Sequence, residues 1–193
     1  PAIDHDAELM LRVREGDETS FQVLLNRHRT SLVHFLYRMV QDAGAAEDLA
    51  QEVFLRIYRS RTRYEVSARF TTWMFRIATH TALNWLRDER HARAEERLDD
   101  AGSGDRPVRQ VRDRVRNAEE VLLEEARLQE VRDAMAALPE KQRAAVLMHK
   151  YQELSYADIA QVLECSESAV KSLLFRAYET LRERLGHMSA GGR

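Results

Sequence analysis

The segment RFTTWMFRIATHTALNWLRDERH, residues 69–91, repeats apolar and basic side chains at helical spacing. Thr71 and Thr72 are candidate N-caps, because a threonine hydroxyl accepts a hydrogen bond from a free N–H in the first turn. A helix is therefore predicted to begin there. Its buried face is predicted to carry Trp73, Ile77, Ala78, Thr81 and Trp85. A second face, suited to binding a ligand, carries Arg76, His80, Asn84 and Arg87.

The surroundings of this helix are strongly basic. Between Arg56 and Arg93 the sequence has nine arginines against three acids, an excess of six positive charges in a chain whose formal net charge is −2. Such a patch suits a polyanion, since neutralising phosphates releases their condensed counterions. The sequence thus predicts a polyanion-binding face on this helix. The preceding residues, 59–69, lack a helical period and are predicted to form a loop.

The composition of the 193 residues predicts an all-α protein with one large or two small domains. The β-branched alternation of strands is scarce, and 44% apolar with 32% charged residues is typical of a soluble globular chain. No apolar run approaches the roughly 18 residues of a membrane span, so we expect a cytoplasmic protein without membrane insertion. The single cysteine, Cys165, excludes an internal disulfide and is predicted to be a small core residue.

Three helices are predicted before residue 60. The first spans residues 4–15 with Asp4 or Asp6 as its cap, the second runs to about Val40, and Asp42 caps the third. His28 falls on the apolar stripe of the second helix. No partner ligands stand at metal-binding spacing, so we expect a hydrogen-bonded core histidine, no metal and no cofactor.

The outer face of the third helix carries Glu47, Asp48, Gln51 and Glu52. Acids near a helix N-terminus are favoured by the macrodipole, so this cluster is consistent with a solvated face. It is equally consistent with a docking surface for a basic protein partner. Composition alone leaves both interpretations open.

The chain changes character between Ala92 and Asn117, where glycine, proline and alternating charges replace the apolar periodicity. This stretch predicts a flexible charged linker. The predicted boundaries are a first domain at 1–92, the linker at 93–117, a second domain at 118–187 and a tail at 188–193.

The second domain ends in a predicted helix-turn-helix. Ser155 caps its first helix, with Asp158 three residues later in a capping-box arrangement, and a turn from Glu164 to Ser166 leads to the last helix. The small Ala160 permits close helix approach, which favours a helix-turn-helix over an ordinary αα-hairpin. The start of the last helix would enter the major groove. Its candidate DNA contacts are Glu167, Ser168, Lys171, Ser172 and Phe175 at base edges and Arg176 at phosphate.

Three segments in order resemble bacterial RNA polymerase sigma factors of the extracytoplasmic-function group, within the sigma-70 family. They are DLAQEVFLRIY, then RFTTWMFRIATHTALNWLRDER, and, after the linker, LPEKQRAAVLMHKYQELSYADIAQVLECSESAVKSLLFRAYETLRERL. The resemblance implies a transcription initiation factor that is not an enzyme. Its first domain would bind core RNA polymerase and open the promoter minus-10 element, and its second would bind the minus-35 element.

The resemblance also implies roles for particular residues. Core polymerase would dock on Glu47, Asp48, Gln51 and Glu52. The minus-10 DNA, with its non-template single strand, would meet Arg61, Arg63, Arg69, Phe70, Trp73, Arg76, His80, Asn84 and Arg87. Members of the group are commonly held inactive by an anti-sigma factor, so such a partner is expected as well.

Some positions depart from the family pattern. Members often carry Asn at the position of His80, Gly at that of Glu164, and basic residues at those of Leu173 and Tyr178. Neutral His80 keeps one donor and one acceptor, so a base contact survives with an altered preference. A left-handed turn is costlier for Glu164 than for glycine. Loss of the two positive charges should weaken attraction to the minus-35 phosphates.

Three other functions fit less of the sequence. A free-standing helix-turn-helix regulator that binds duplex DNA without polymerase leaves the acidic face and residues 69–91 unexplained. An enzyme would need a nucleophile–base pair or metal spacing, which the scattered histidines do not offer. A purely structural interaction protein leaves the basic patch without a purpose.

Overall fold

The computed structural model describes residues 4–99 and 118–190. The helices of the first range are α1 (His5–Arg14), α2 (Glu18–Val40), α3 (Ala43–Arg59), a short 3-10 helix (Arg61–Arg63) and α4 (Phe70–Asp99). Those of the second range are α5 (Ala118–Ala136), α6 (Glu140–Tyr151), α7 (Tyr156–Leu163) and α8 (Glu167–Ala190). These two ranges contain no strand, and the all-α prediction is confirmed.

Side-chain caps begin four of the helices, and those at Asp4, Asp42 and Ser155 were predicted from the sequence. The N–H of Ala7 donates to Asp4 at 2.6 Å, that of Ser20 to Asp17 at 3.2 Å, and that of Ala45 to Asp42 at 2.8 Å. In α7 the capping box is complete, since the Asp158 N–H donates to the Ser155 hydroxyl and the Ser155 N–H donates to the Asp158 carboxylate. Each cap satisfies a donor that the first helical turn leaves free.

The N-terminus of α4 differs from the prediction. The helix begins at Phe70, and neither Thr71 nor Thr72 caps it. The Phe70 N–H instead donates to the carboxylate of Asp4, at 3.2 Å, so one aspartate serves the starts of both α1 and α4. A cap from 66 residues away has no local sequence signal.

Other predicted boundaries also shift. The predicted loop 59–69 contains the 3-10 helix, because the Arg63 N–H donates to the Ser60 carbonyl at 2.9 Å. Helix α4 continues to Asp99, inside the predicted linker 93–117, and positions 100–117 lie outside the described residues. Helix α8 extends to Ala190, inside the predicted tail 188–193.

The core of the first domain is built from α1 to α4. Phe35 and Phe75 meet edge to face with ring centroids 5.1 Å apart, and both are almost completely buried. His28 is 8% exposed, and its Nε2 lies 2.8 Å from Asp6 Oδ2 on α1. The prediction of a hydrogen-bonded core histidine is therefore confirmed.

The second domain is organised around α6, whose residues from Arg143 to Met148 are all buried. Ala160 and Val170 are buried between α7 and α8, which confirms the close packing predicted for the helix-turn-helix. Cys165 is only half-buried and packs against the core edge, so its expected place inside the core is wrong.

The two domains are in contact. Helix α4 lies against α7, and α2 lies against α5 and α6. The buried Arg143 guanidinium donates to three carbonyls of its own domain and to the carbonyl of Met39 at the end of α2. The Arg38 guanidinium lies 4.2 Å from the centre of the Tyr151 ring. Among the described helices, none is long and apolar enough to cross a membrane.

Candidate nucleic-acid and protein interfaces

A groove of about 620 Å³ runs between α2 and α3. Its floor is apolar and aromatic, formed chiefly by Phe21, Leu25, Phe54, Leu55 and Tyr58. Leu55 is 48% exposed although it is a large aliphatic side chain. Together with the half-buried rings beside it, Leu55 gives the groove an apolar surface that is suited to a protein contact.

The predicted docking acids border this groove. Glu47 and Gln51 line its rim and are exposed, and Asp48 is exposed on the same helix. Glu47 accepts a hydrogen bond from Arg29 at 3.3 Å. Glu52 is half-buried, and the hydrogen bond from Arg56, at 2.7 Å, lowers the pKa of its carboxyl. The structure thus joins the acidic face to an apolar floor.

The sequence prediction missed that apolar floor. Helical periodicity places Phe21 and Leu25 on the core stripe of α2 and Phe54 on the inner face of α3, and all three do pack with the core, Phe54 at 6% exposure. Leu55 breaks the core period and was the available signal, because an aliphatic side chain outside the buried stripe needs another partner.

An aromatic platform supports the start of α4. The half-buried Trp73 lies between Tyr64, with ring centroids 4.9 Å apart, and Phe70, at 6.1 Å. The exposed Arg69 lies one turn before Trp73, whose N–H donates to the Arg69 carbonyl at 3.2 Å. Base stacking on aromatic rings beside arginines is typical of single-strand binding.

Most of the predicted minus-10 residues lie on the surface. Two exposed residues, Arg63 and Arg69, precede α4. Four more are exposed along α4: Arg76, His80, Asn84 and Arg87. Arg61 lies apart from this set: its guanidinium is 4.1 Å from the centre of the Tyr58 ring and donates to the Tyr58 carbonyl at 2.9 Å. Arg61 therefore borders the α2–α3 groove and not the exposed face of α4.

Phe70 needs correction as a DNA contact. Its side chain is 0% exposed and packs on His28, with ring centroids 5.4 Å apart. Its ring also packs edge to face on Trp73, with centroids 6.1 Å apart, so Phe70 is a core residue under the platform. The sequence did not distinguish the two residues because both are aromatic and adjoin the basic loop.

The second domain touches the same face of α4. Thr72 and Arg76 donate hydrogen bonds to acids at the two ends of α7, and Arg90 pairs with Glu140 at 3.2 Å. His80 and Asn84 line a cleft of about 260 Å³ between the domains. Part of the face that the sequence assigns to DNA is thus in contact with protein.

The outer side of α8 is exposed. Glu167, Ser168, Lys171, Ser172, Phe175 and Arg176 are all exposed, and Phe175 is 64% exposed. On the opposite side Val170, Leu174 and Ala177 are buried. The six predicted minus-35 residues therefore share one surface, and their DNA contacts stay a prediction.

The departures from the family pattern have structural counterparts. Glu164 has φ 54° and ψ 49°, in the left-handed region, as expected for the turn before α8. Leu173 and Tyr178 are half-buried, and the Tyr178 hydroxyl lies 3.4 Å from His149 Nδ1. Both side chains pack against the core. In the parts of the chain that the structure describes, no group of three His, Cys, Asp or Glu residues is arranged to hold a metal ion.

Family models match both domains. The model for sigma-70 region 2 matches residues 24–92, and that for sigma-70 region 4 matches residues 128–181. Among relatives, the chain is 32% identical to the RNA polymerase sigma-H factor of Pseudomonas aeruginosa over 186 residues, which cover 94% of each chain. It is 31% identical to the ECF RNA polymerase sigma-E factor of Haemophilus influenzae over 182 residues, 93% of this chain and 95% of the relative. It is 34% identical to the RNA polymerase sigma factor CarQ of Myxococcus xanthus, over 93% of this chain and 97% of the relative.

Two solved structures share the fold. One is CnrH in complex with the cytosolic domain of CnrY, with a TM-score of 0.69, 18% identity and coverage of 95% of this chain and 99% of CnrH. The other is the sigma factor RpoE in complex with the anti-sigma factor NepR from Bartonella quintana, with a TM-score of 0.64, 23% identity and coverage of 86% and 96%. The two family models and the relatives that match over nearly the whole chain lead to one assignment. The chain belongs to the extracytoplasmic-function group of the sigma-70 family of RNA polymerase sigma factors.

Proposed function

We propose that this sigma factor docks on core RNA polymerase through the α2–α3 groove and directs it to promoters through α4 and α8. Helix α4 and the loop before it recognise and open the minus-10 element, and α8 reads the minus-35 element. The observation that carries the proposal is the groove, because its apolar floor and acidic rim are suited to an amphipathic basic segment of a protein partner.

The groove also separates this proposal from a free-standing helix-turn-helix regulator. Such a regulator needs DNA-contacting residues and a dimer interface, but no acid-rimmed groove on another domain. Docking would use Asp48 and Gln51 for charge and polar contacts, and Leu55 as the apolar anchor. Anchors of this kind, buried at the centre of an interface, supply most of its affinity.

Promoter opening follows from differential affinity. A ligand shifts an equilibrium only by binding one state better than the other, so the sigma factor must prefer the opened strand to the duplex. The Trp73 platform offers a surface on which an unstacked base stacks, and neighbouring arginines hold the backbone. His80 offers a base edge one donor and one acceptor when neutral.

At the minus-35 element, α8 would lie in the major groove with its N-terminal half at the base edges. Lys171 and Phe175 are the central contacts, since both are exposed on the outer side of the helix. Arg176 lies beside them and binds phosphate. Contacts of Lys171 and Phe175 with base edges would recognise the sequence, and the phosphate contact of Arg176 would position the helix on the DNA.

The chemistry of transcription belongs to the polymerase, so this chain acts in the cytoplasm as a non-enzymatic initiation factor.

A regulatory partner is also part of the proposal. Both solved sigma-factor folds described above were captured as complexes, one of them with an anti-sigma factor. We expect this chain likewise to bind an anti-sigma factor through surfaces that the polymerase or promoter otherwise occupies.

Run-off transcription with purified core polymerase and a library of genomic fragments tests the function. The expected result is a set of transcripts that begin at defined sites only when the sigma factor is present. The same protein without core should bind duplex promoter DNA poorly. A library that yields no sigma-dependent transcript contradicts the proposal.

Docking is tested by measuring affinity for core polymerase. Leu55→Asp and the double change Asp48→Lys with Glu52→Lys should each weaken binding by about tenfold or more, equivalent to about 1.4 kcal/mol. Matched controls are Val66→Asp, at an apolar position that is 42% exposed, and Glu8→Lys on α1. Unchanged core affinity in both groove variants would rule out this docking site.

A further inference from the structure

The second domain holds α4 at two points. The Thr72 hydroxyl donates to Asp158 Oδ1 at 2.9 Å, and Arg76 Nη2 donates to Glu164 Oε1 at 2.5 Å. Asp158 lies in the first turn of α7, and Glu164 directly follows its last residue. Thr72 is only 2% exposed as a result of the packing around it. Helix α7 is therefore fixed to α4 at both of its ends.

The Glu164 carboxylate accepts a hydrogen bond from the Arg76 guanidinium, which the proposed function assigns to contact with DNA. A carboxylate and a phosphate present acceptor oxygens to the same Arg76 donors, so the two compete for them. His80 and Asn84 share the adjoining cleft with Glu164 and Lys141. A single strand that follows α4 would have to displace the Glu164 carboxylate.

Glu164 is an unusual residue for its backbone conformation. Its φ of 54° lies in a region that any Cβ disfavours and that glycine adopts freely. The turn into α8 would thus form more readily with glycine, the common residue just after a helix end. The carboxylate of Glu164 contacts Arg76, so the substitution of glycine here would relieve the backbone and remove a contact between the domains.

When the domains separate, each charged group at their contact either reaches water or keeps hydrogen-bond partners in its own domain. The Arg76 and Glu164 side chains are 52% and 53% exposed while paired, so both reach water readily. Asp158 keeps its hydrogen bonds with Ser155. Arg143 loses the Met39 carbonyl but keeps three carbonyls of its own domain. Since half-exposed ion pairs contribute little, loss of the Arg76–Glu164 pair alone should change the free energy of closure only modestly.

We propose that Glu164, together with Asp158, latches α7 onto α4 and holds the free sigma factor closed, so that Arg76 is available to single-stranded promoter DNA only after the domains separate. The part of this statement that concerns DNA rests on the function proposed above. The latch itself rests only on the contacts between α4 and α7.

The substitution Glu164→Gly tests the latch. It removes the carboxylate and relieves the backbone, so the variant should fold at least as well as the parent. Glu153→Gly is the matched control: Glu153 also has a positive φ, 52°, and is exposed in the loop before α7, where the described residues provide it no hydrogen bond or ion pair. Both variants relieve the same kind of strain, but only the first removes a contact between the domains.

Energy transfer between two dyes reports the closure. Labels at His34→Cys on α2 and Lys150→Cys on α6, in a Cys165→Ser background, use exposed positions on helices that touch in the closed form. Glu164→Gly should lower the transfer by shifting the open-to-closed ratio roughly 1.5- to 5-fold. Glu153→Gly should leave the transfer unchanged. The exchanged pair Arg76→Glu with Glu164→Arg should restore it.

A second measurement separates the latch from the DNA assignment. The probe is the labelled non-template strand of a promoter identified by run-off transcription. Affinity for this strand should rise in Glu164→Gly by the same factor as the open population. Unchanged energy transfer in Glu164→Gly overturns the latch even when transcription is normal. Lower transfer with unchanged strand affinity supports the latch and contradicts the role of α4 in DNA binding.

Discussion

At the scale of single residues, Tyr64 shows how burial affects the aromatic platform that supports the start of α4. Its ring packs on Trp73, and its hydroxyl, almost completely enclosed, has no hydrogen-bond partner among the described residues. Burial, with Asp4 and Asp6 nearby, raises the pKa of Tyr64 to about 12. The neutral phenol is therefore the form that the folded protein favours.

This pKa predicts a loss of stability at alkaline pH. Below the ordinary tyrosine pKa of about 10 the Tyr64 contribution is fully present, and it is lost as pH rises towards about 12, because the unfolded chain releases the proton first. The loss amounts to up to about 2 kcal/mol. Denaturant unfolding of the parent and of Tyr64→Phe, followed by tryptophan fluorescence across this range, measures it as the difference between them.

The Phe variant should be no less stable than the parent at neutral pH, since it removes an unpaired buried hydroxyl. Between pH 10 and 12 its stability should fall less steeply than that of the parent. Equal slopes for the two proteins would contradict the assigned burial of Tyr64. Tyr151→Phe, at a ring that is 48% exposed, is the control for a tyrosine that solvent reaches.

At the scale of elements, α8 has two chemically separate faces. Val170, Leu174 and Ala177 fix the inner face, and the outer face is entirely exposed. Because the inner face alone determines how α8 packs, changes on the outer face should leave the fold intact. Effects on DNA binding at these positions can therefore be separated from effects on stability.

This separation predicts two kinds of loss at the minus-35 element. With the sigma factor bound to core polymerase, Arg176→Ala should weaken binding to all sequences alike and reduce the slope of log affinity against log salt by about one. Lys171→Ala should weaken binding to the promoter more than it weakens binding to a duplex with a scrambled minus-35 element. Fluorescence anisotropy over a salt series measures both, with the exposed Arg182→Ala as control. Identical behaviour of the Lys171 and Arg176 variants would argue against the proposed docking of α8.

At the scale of the whole molecule, the contact between domains is partly electrostatic. Arg76 pairs with Glu164, Arg90 with Glu140, and the Arg38 guanidinium lies over the Tyr151 ring. The side chains of the two ion pairs retain solvent contact, so salt screens their attraction. The separation of the domains should therefore depend on ionic strength, whereas the helix content should stay constant.

Small-angle scattering tests this dependence. Raising sodium chloride from about 0.1 M to about 1 M shortens the screening length from roughly 10 to 3 Å and should increase the radius of gyration of the free protein. Far-UV circular dichroism should stay constant. Glu164→Gly should already be expanded at low salt and respond less. A radius of gyration that is the same at both salt concentrations would indicate that apolar packing alone holds the domains.

The sequence by itself determined what depends on neighbouring residues. Asp42 caps its helix, and Ser155 with Asp158 forms the predicted capping box, because a cap and its helix lie within one turn of each other. Periodicity likewise determined the helix-turn-helix and the burial of Ala160 and Val170. The family resemblance, carried by three ordered segments, identified the sigma factor.

Tertiary structure decided what depends on residues far apart in the chain. Asp4 caps α4 from 66 positions away, which is why the predicted threonine caps were wrong. Thr72 meets Asp158 across 86 positions, so no local pattern could show that α7 covers the start of α4. The basic face of α4 came from the sequence; its pairing with Glu164 came from the packing of two domains, since a helix pattern specifies what a surface offers but not which partner meets it.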